Sequence, residues 1–237
     1  MKKILFTVCM ALMILQTHAQ FSIGFRTDVG SLTELNNIIT QYNEARPWLD
    51  KKLGQQQFMN GIEFGFQTID DKITISALKV CFQRNVSSVK GEDPSGTEFT
   101  RKLRTNQIGL EIVDAALTPI PLGSWKLGGG FMPIGLSRLR VRTKLNDEDW
   151  KKIKLSDLDD EEKETIWSSG HAYSTIHLDI TNGDNLHFQT FYTLPWFNDS
   201  YELIRVNKEI NPSTSGFYNR RTILEMAHIG FKLTLAI

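Results

Sequence analysis

The residues of this chain best suited to chemistry are His171, His177, His187 and His228, together with the charged side chains Arg26, Glu63, Lys79, Glu111, Asp179 and Lys232. Imidazole titrates near neutrality, binds metals and moves protons, and beside carboxylates or hydroxyls it builds metal centres and hydrolytic triads. The spacing here supports neither, because no HExxH or HxH arrangement occurs. A calcium loop needs oxygen ligands at fixed intervals around a turn-making glycine. The acidic run from Asp157 to Glu164 lacks that glycine and reads as a solvated charged helix, capped by Ser156 and carrying acids such as Glu161 in its first turns. No metal and no cofactor is expected, and no enzymatic activity.

What most of these residues share is parity. "FSIGFRTDV" sets Phe21, Ile23 and Phe25 against Ser22, Gly24 and Arg26, and "FMNGIEFGFQ" sets Phe58, Ile62, Phe64 and Phe66 against Met59, Gly61, Glu63, Gly65 and Gln67. Ile108, Leu110 and Ile112 oppose Gln107, Gly109 and Glu111, while Ile176, Leu178 and Ile180 oppose Thr175, His177 and Asp179. Leu186, Phe188, Tyr192 and Leu194 oppose His187, Gln189 and Thr193. At the end of the chain Ile229, Phe231, Leu233, Leu235 and Ile237 oppose His228, Gly230, Lys232, Thr234 and Ala236. Strict alternation is the signature of a two-faced strand.

Two further strands are irregular. In 73–84, Leu78, Val80 and Phe82 oppose Lys79, Cys81 and Gln83, but Ile73 and Ile75 start on the other parity. In 125–142 the phase switches around Met132–Gly135, which predicts a bulge near Pro133. His171 lies near a strand mouth.

The connections alternate long and short. Segment 30–56 is long, Ile69-Asp70-Asp71-Lys72 is short, 85–100 is a loop of about 15 residues, and the chain turns near Thr118–Gly123. Segment 143–168 is long, Thr181–Asn185 is a hairpin turn of the Asn-Gly kind, and 197–217 is long. In the first long segment Ser31 and Glu34 form a capping box, Leu32, Leu35, Ile39 and Tyr42 share a helical face, and Pro47 ends the helix. That helix is read as packing on a barrel rim. Trp167, Tyr173, Trp196, Phe197, Phe217 and Tyr218 gather where strands meet long loops, with Trp125 at the opposite end, as interfacial aromatics are placed.

Residues 1–19 carry Lys2 and Lys3, an apolar stretch from Ile4 to Leu15, and Thr17-His18-Ala19, which together predict a signal peptide cleaved after Ala19. Residues 20–237 are then one domain. Cys9 leaves with the signal, so Cys81 has no intramolecular disulfide partner. Two of the 27 basic residues leave as well while all 27 acidic ones stay, a net charge of about −2 that argues against nucleic acid.

The expected fold is all-β: an eight-stranded antiparallel up-and-down transmembrane β-barrel with short helices in the extracellular loops. In such barrels the apolar face meets lipid and the interior is polar. The lipid-facing set is then Phe21, Ile23, Phe25, Ile62, Phe64, Ile108, Leu110, Ile176, Leu178, Phe188, Ile229, Phe231, Leu233 and Leu235. The lumen network is Arg26, Glu63, Lys79, Glu111, His177, Asp179, His187, His228 and Lys232. An eight-stranded interior is only wide enough for side chains to fill, so these should plug it.

On this alternation, and on the final apolar-alternating strand, the chain resembles the small Gram-negative outer-membrane β-barrel family with OmpA-like transmembrane architecture. It departs from the family's usual C-terminal signal by ending in Ile237 where an aromatic is customary. The resemblance implies outer-membrane localisation, contact with outer-membrane lipid, and engagement of the barrel-assembly machinery through the C-terminal strand. It also implies a structural or loop-mediated binding or adhesion role at the cell surface. Two other readings stay open: a soluble periplasmic lipocalin-like ligand-binding barrel, and a lipid-modifying outer-membrane enzyme. The surface ligand is not legible in the sequence.

Overall fold

The computed structural model describes residues 20–30, 32–69, 72–153, 155, 170–183, 185–196, 203–211 and 227–237. The elements are β1 (Gln20–Val29), α1 (Thr33–Glu44), β2 (Phe58–Ile69), β3 (Ile73–Glu92), β4 (Glu98–Leu122), β5 (Trp125–Leu145), β6 (Lys151–Ile153), β7 (Gly170–Asn182), β8 (Leu186–Pro195), α2 (Ile204–Ile210) and β9 (His228–Ala236). All pairings are antiparallel, and β1, β2, β3, β4, β5, β7, β8 and β9 form a ring of eight. The ring closes between last strand and first, from Ser22 against Ala236 to Val29 against Ile229. The Ile237 amide adds a 2.8 Å hydrogen bond to the Phe21 carbonyl. A closed ring leaves no unpaired edge, which is the condition for crossing a bilayer with strands.

Burial follows parity around the ring, and its sense is inverted. In β1 Ser22, Gly24, Arg26 and Asp28 are buried, whereas Phe21, Ile23 and Phe25 are exposed. In β9 His228, Gly230, Lys232, Thr234 and Ala236 are buried while Ile229, Phe231, Leu233 and Leu235 are exposed. A water-soluble barrel would bury the apolar set.

The irregular parities have mechanical causes. Between Phe64 and Phe66 of β2 the pairing with β3 slips, so Leu78 and Lys79 together oppose Gly65. Leu78 takes a left-handed backbone (φ 50°), and this bulge lets Ile73 and Ile75 face outward with Leu78. A second slip between Met132 and Gly135 of β5, against β7, places Pro133 and Ile134 both outward, at the bulge expected there. A third lies on β4 between Glu111 and Val113; neither Ile112 nor Val113 is buried, and Asp114 returns to the interior.

The expected loop at 85–100 is corrected. β3 and β4 continue as a paired ladder from Asn85–Thr105 to Glu92–Glu98, closed by a turn whose Asp93 accepts bonds from the Ser95 and Thr97 amides (2.9 and 3.0 Å). The few apolar residues of this stretch, Val86, Val89, Phe99 and Leu103, follow no period-two pattern among polar neighbours, and that hid the ladder. The turn near Thr118–Gly123 is likewise tighter: β4 runs to Leu122 and only Gly123 and Ser124 lie outside strands. The three strands β3, β4 and β5 therefore rise beyond the ring at the long-loop end, where β6 pairs with Val141–Thr143.

Against this extension sits a conventional apolar core. Leu35, Ile38, Ile39 and Tyr42 of α1, Leu203, Val206 and Ile210 beside or within α2, and Met59, Val89, Leu103, Leu139, Val141 and Ile153 of the sheet form one buried cluster. The rim-packed helix is thus observed, ending at Glu44 ahead of Pro47. The residue before α1 is Leu32, and no side chain caps it; Ser31 lies outside the described residues, as does the acidic stretch with Ser156 and Glu161. Arg46 bridges the two helices, donating to the Ile210 carbonyl and the Asn211 Oδ1, each at 3.2 Å, while its guanidinium lies 4.0 Å from the Tyr42 ring centre.

Candidate functional site

Strand alternation aims one side chain in two at the barrel axis, and in a ring of eight the opposite walls come within side-chain reach. All nine residues expected in the lumen are buried and inward: Arg26, Glu63, Lys79, Glu111, His177, Asp179, His187, His228 and Lys232. They join into one network. Arg26 Nη1 donates to Glu111 Oε1 at 2.6 Å, and Lys232 Nζ reaches both oxygens of the same carboxylate at 2.6 and 2.8 Å. Lys232 also stands 3.9 Å from Glu63, whose other oxygen accepts from the Thr234 hydroxyl at 3.0 Å. Lys79 lies 4.0 Å from Glu63 and 3.6 Å from Asp114.

The histidines continue the chain toward the short-turn end and the mouth. His177 stands between two carboxylates, with Nε2 2.7 Å from Asp114 and Nδ1 2.5 Å from Asp179. His187 pairs with the other oxygen of Asp179, and Gln189 donates to Asp114 and Asp179 at 3.3 and 3.2 Å. His228 meets Asp28 at 2.8 Å, and Arg26 Nε meets the same carboxyl group at 2.8 Å. Buried charges survive only when paired and hydrogen-bonded, and each carboxylate here has at least one such partner.

Four members were not expected from the sequence. Asp28 continues the inward parity of Ser22, Gly24 and Arg26, so its signal was present. Asp114 was hidden by the bulge at Ile112–Val113. Phe191 carries the inward parity of His187 and Gln189, and lies 4.6 Å from the Arg26 guanidinium and 5.0 Å from Lys232 Nζ. A Cβ on Gly230 would overlap its ring, so this glycine makes the room. Tyr173, expected in an interfacial girdle, is a correction: it is buried inside, its hydroxyl donating to Glu111 at 3.4 Å. Its position continues the inward parity of Thr175, His177 and Asp179 along β7, and the residue type alone suggests the girdle. His171 is also inward, with its ring stacked 6.5 Å from Tyr173.

None of the fourteen residues expected on the outer face is buried, and Phe25 (52%) and Leu178 (65%) are among the most exposed apolar side chains. Trp196 is outward too, its indole donating to the Ser174 hydroxyl at 2.7 Å. Trp167, Phe197, Phe217 and Tyr218 lie outside the described residues. Among the described residues no cluster of three His, Cys, Asp or Glu side chains could hold a metal ion, and no helix is long and apolar enough to cross a membrane.

No protein-family model and no curated protein matches the chain. Solved structures similar to it include Ail, the attachment invasion locus protein of Yersinia pestis, at 8% identity over 92% of this chain and 95% of that one, with a TM-score of 0.33. The same protein in complex with the heparin analogue sucrose octasulfate gives 0.32 at the same identity and coverage. The outer membrane protein OprG from Pseudomonas aeruginosa is 12% identical over 93% of this chain and 97% of that one, with a TM-score of 0.35. Likenesses this distant carry no functional argument; the small outer-membrane barrel architecture rests on the closed strand ring and the inverted burial above.

Proposed function

We propose that this chain is a small outer-membrane β-barrel protein whose lumen is plugged by its own ion-pair network, and whose role at the cell surface is structural or carried by binding at the elaborated end. The observation that carries this reading is the inverted burial: ionised side chains inside, a continuous apolar wall outside. Lipid is the one cellular solvent that makes such a wall favourable. The chain is exported by a signal at residues 1–19 and assembled by the barrel-assembly machinery through β9. It then sits with its short turns toward the periplasm and the α1–α2 cap outside. The lipid-facing residues are the outward apolar set, and no catalysis is assigned.

Fractionation tests this. Recovery in the outer membrane, release only by detergent, and a heat-modifiable gel mobility are the expected results. Recovery in a detergent-free periplasmic extract would instead establish the soluble lipocalin-like barrel.

A further inference from the structure

Above the apolar wall, toward the cap, the outward faces of three neighbouring strands change abruptly from apolar to cationic. In register across the sheet, Ile62, Phe82 and Ile108 form one row. Two residues further along, roughly 7 Å, the next rows bring Arg84 beside Asn106, Asn106 beside Arg140, and Arg104 directly against Arg142. Like charges opposed across a ladder repel, and among the described residues no carboxylate makes an ion pair with Arg84, Arg104, Arg140 or Arg142. What holds them is neutral: Arg84 Nε donates to Asn106 Oδ1 at 3.0 Å, and the Arg104 guanidinium lies 4.2 Å from the Trp150 ring centre. Among the described residues, the buried Nε atoms of Arg104, Arg140 and Arg142 have no hydrogen-bond partner. Apolar row and arginines together line one groove of about 530 Å³.

We infer that this groove binds the phosphate-bearing headgroup of an outer-leaflet glycolipid, with its acyl chains on the Ile62–Phe82–Ile108 row and its phosphate among the arginines. The inference rests on the membrane reading above. Guanidinium forks match phosphate oxygens bidentately, and a bound phosphate relieves the Arg104–Arg142 repulsion. The site faces sideways from the barrel and is continuous with the apolar wall, so its occupant is an amphiphile anchored beside the protein. A free anion would leave the apolar half of the groove unused.

The test uses the full mature chain refolded in phosphatidylcholine nanodiscs, with heat-modifiable mobility confirming the fold of every variant. Bis-phosphorylated lipid A and its dephosphorylated form are compared by binding, with inorganic phosphate as competitor. The expected result is a preference of at least about ten-fold for the phosphorylated lipid, lost in the Arg104→Gln/Arg142→Gln double variant. Lys90→Gln, an exposed cation elsewhere, should retain it. Equal binding of both lipids, an unaffected double variant, or displacement by inorganic phosphate at the lipid's own concentration overturns the inference while leaving the barrel reading intact. Failure of the wild-type chain to enter nanodiscs would instead remove the barrel reading.

Discussion

Arg26 Nη1 and Glu111 Oε1, 85 residues apart in sequence, meet at 2.6 Å across the interior of the ring, and Lys232 closes on the same carboxylate from the neighbouring strand. A buried pair contributes little against a well-packed apolar substitute, but removing one partner leaves the others buried and uncompensated, at about 3–5 kcal/mol. Glu111→Gln leaves Arg26 with Asp28 alone and Lys232 with only the more distant Glu63. It should therefore lower the unfolding midpoint in urea, by a free energy at or below the lower end of that range. Asp93→Asn on the exposed turn should have almost no effect. Equal midpoints for wild type and Glu111→Gln would mean that the network does not hold the walls together.

The same network bears on transport. With charges paired across the axis and Phe191 and Tyr173 filled in beside them, purified protein in planar bilayers should show no large stable conductance. A steady porin-sized channel would refute the plugged interior.

How far the sequence foresaw this depends on regularity. Where alternation runs unbroken, as in β1, β7 and β9, side-chain direction could be read residue by residue, and Arg26, Asp179 and Lys232 fell where expected. A bulge shifts everything beyond it by one, and that is why Asp114 was missed although Glu111 was placed correctly. Tyr173 keeps the inward parity of Thr175 and His177 and was missed because a tyrosine at a strand end reads equally as an interfacial aromatic. The upper halves of β3 and β4 were invisible for another reason. Above the membrane zone both faces of a strand meet water or a cap, so Arg84 to Glu92 carries no apolar period to detect.

The cap should be separable from the barrel. Ile39 is fully buried in the cluster that joins α1 to the raised strands. Ile39→Ala should cost the cap about 2–5 kcal/mol and speed proteolysis within residues 32–57. Heat-modifiable mobility, which reports the ring, should be unchanged. Loss of the folded band would show that cap and ring fold as one unit.

Acid should loosen the hairpin tip first. The Ser95 hydroxyl, with the Thr97 and Ser95 amides, holds the Asp93 carboxyl below its ordinary range. A depressed carboxylate stabilises the turn above its unfolded pKa, near 4, and that support disappears as pH falls through the folded value. Amide exchange at Ser95 and Thr97 should therefore accelerate below about pH 4 in wild type, with no such step in Asp93→Asn. A step that persists in the variant would assign the transition to another group.

The central claim is that the exposed apolar wall meets hydrocarbon, and site-directed labelling of β9 tests it most directly. In a Cys81→Ser background, single cysteines at 231, 232, 233, 234 and 235 are exposed in intact outer membranes to a reactive probe confined to the bilayer. Positions 231, 233 and 235, where Phe231, Leu233 and Leu235 face outward, should label. Positions 232 and 234, where Lys232 and Thr234 are buried inside, should not. Labelling of the even positions, or of none, would contradict the account.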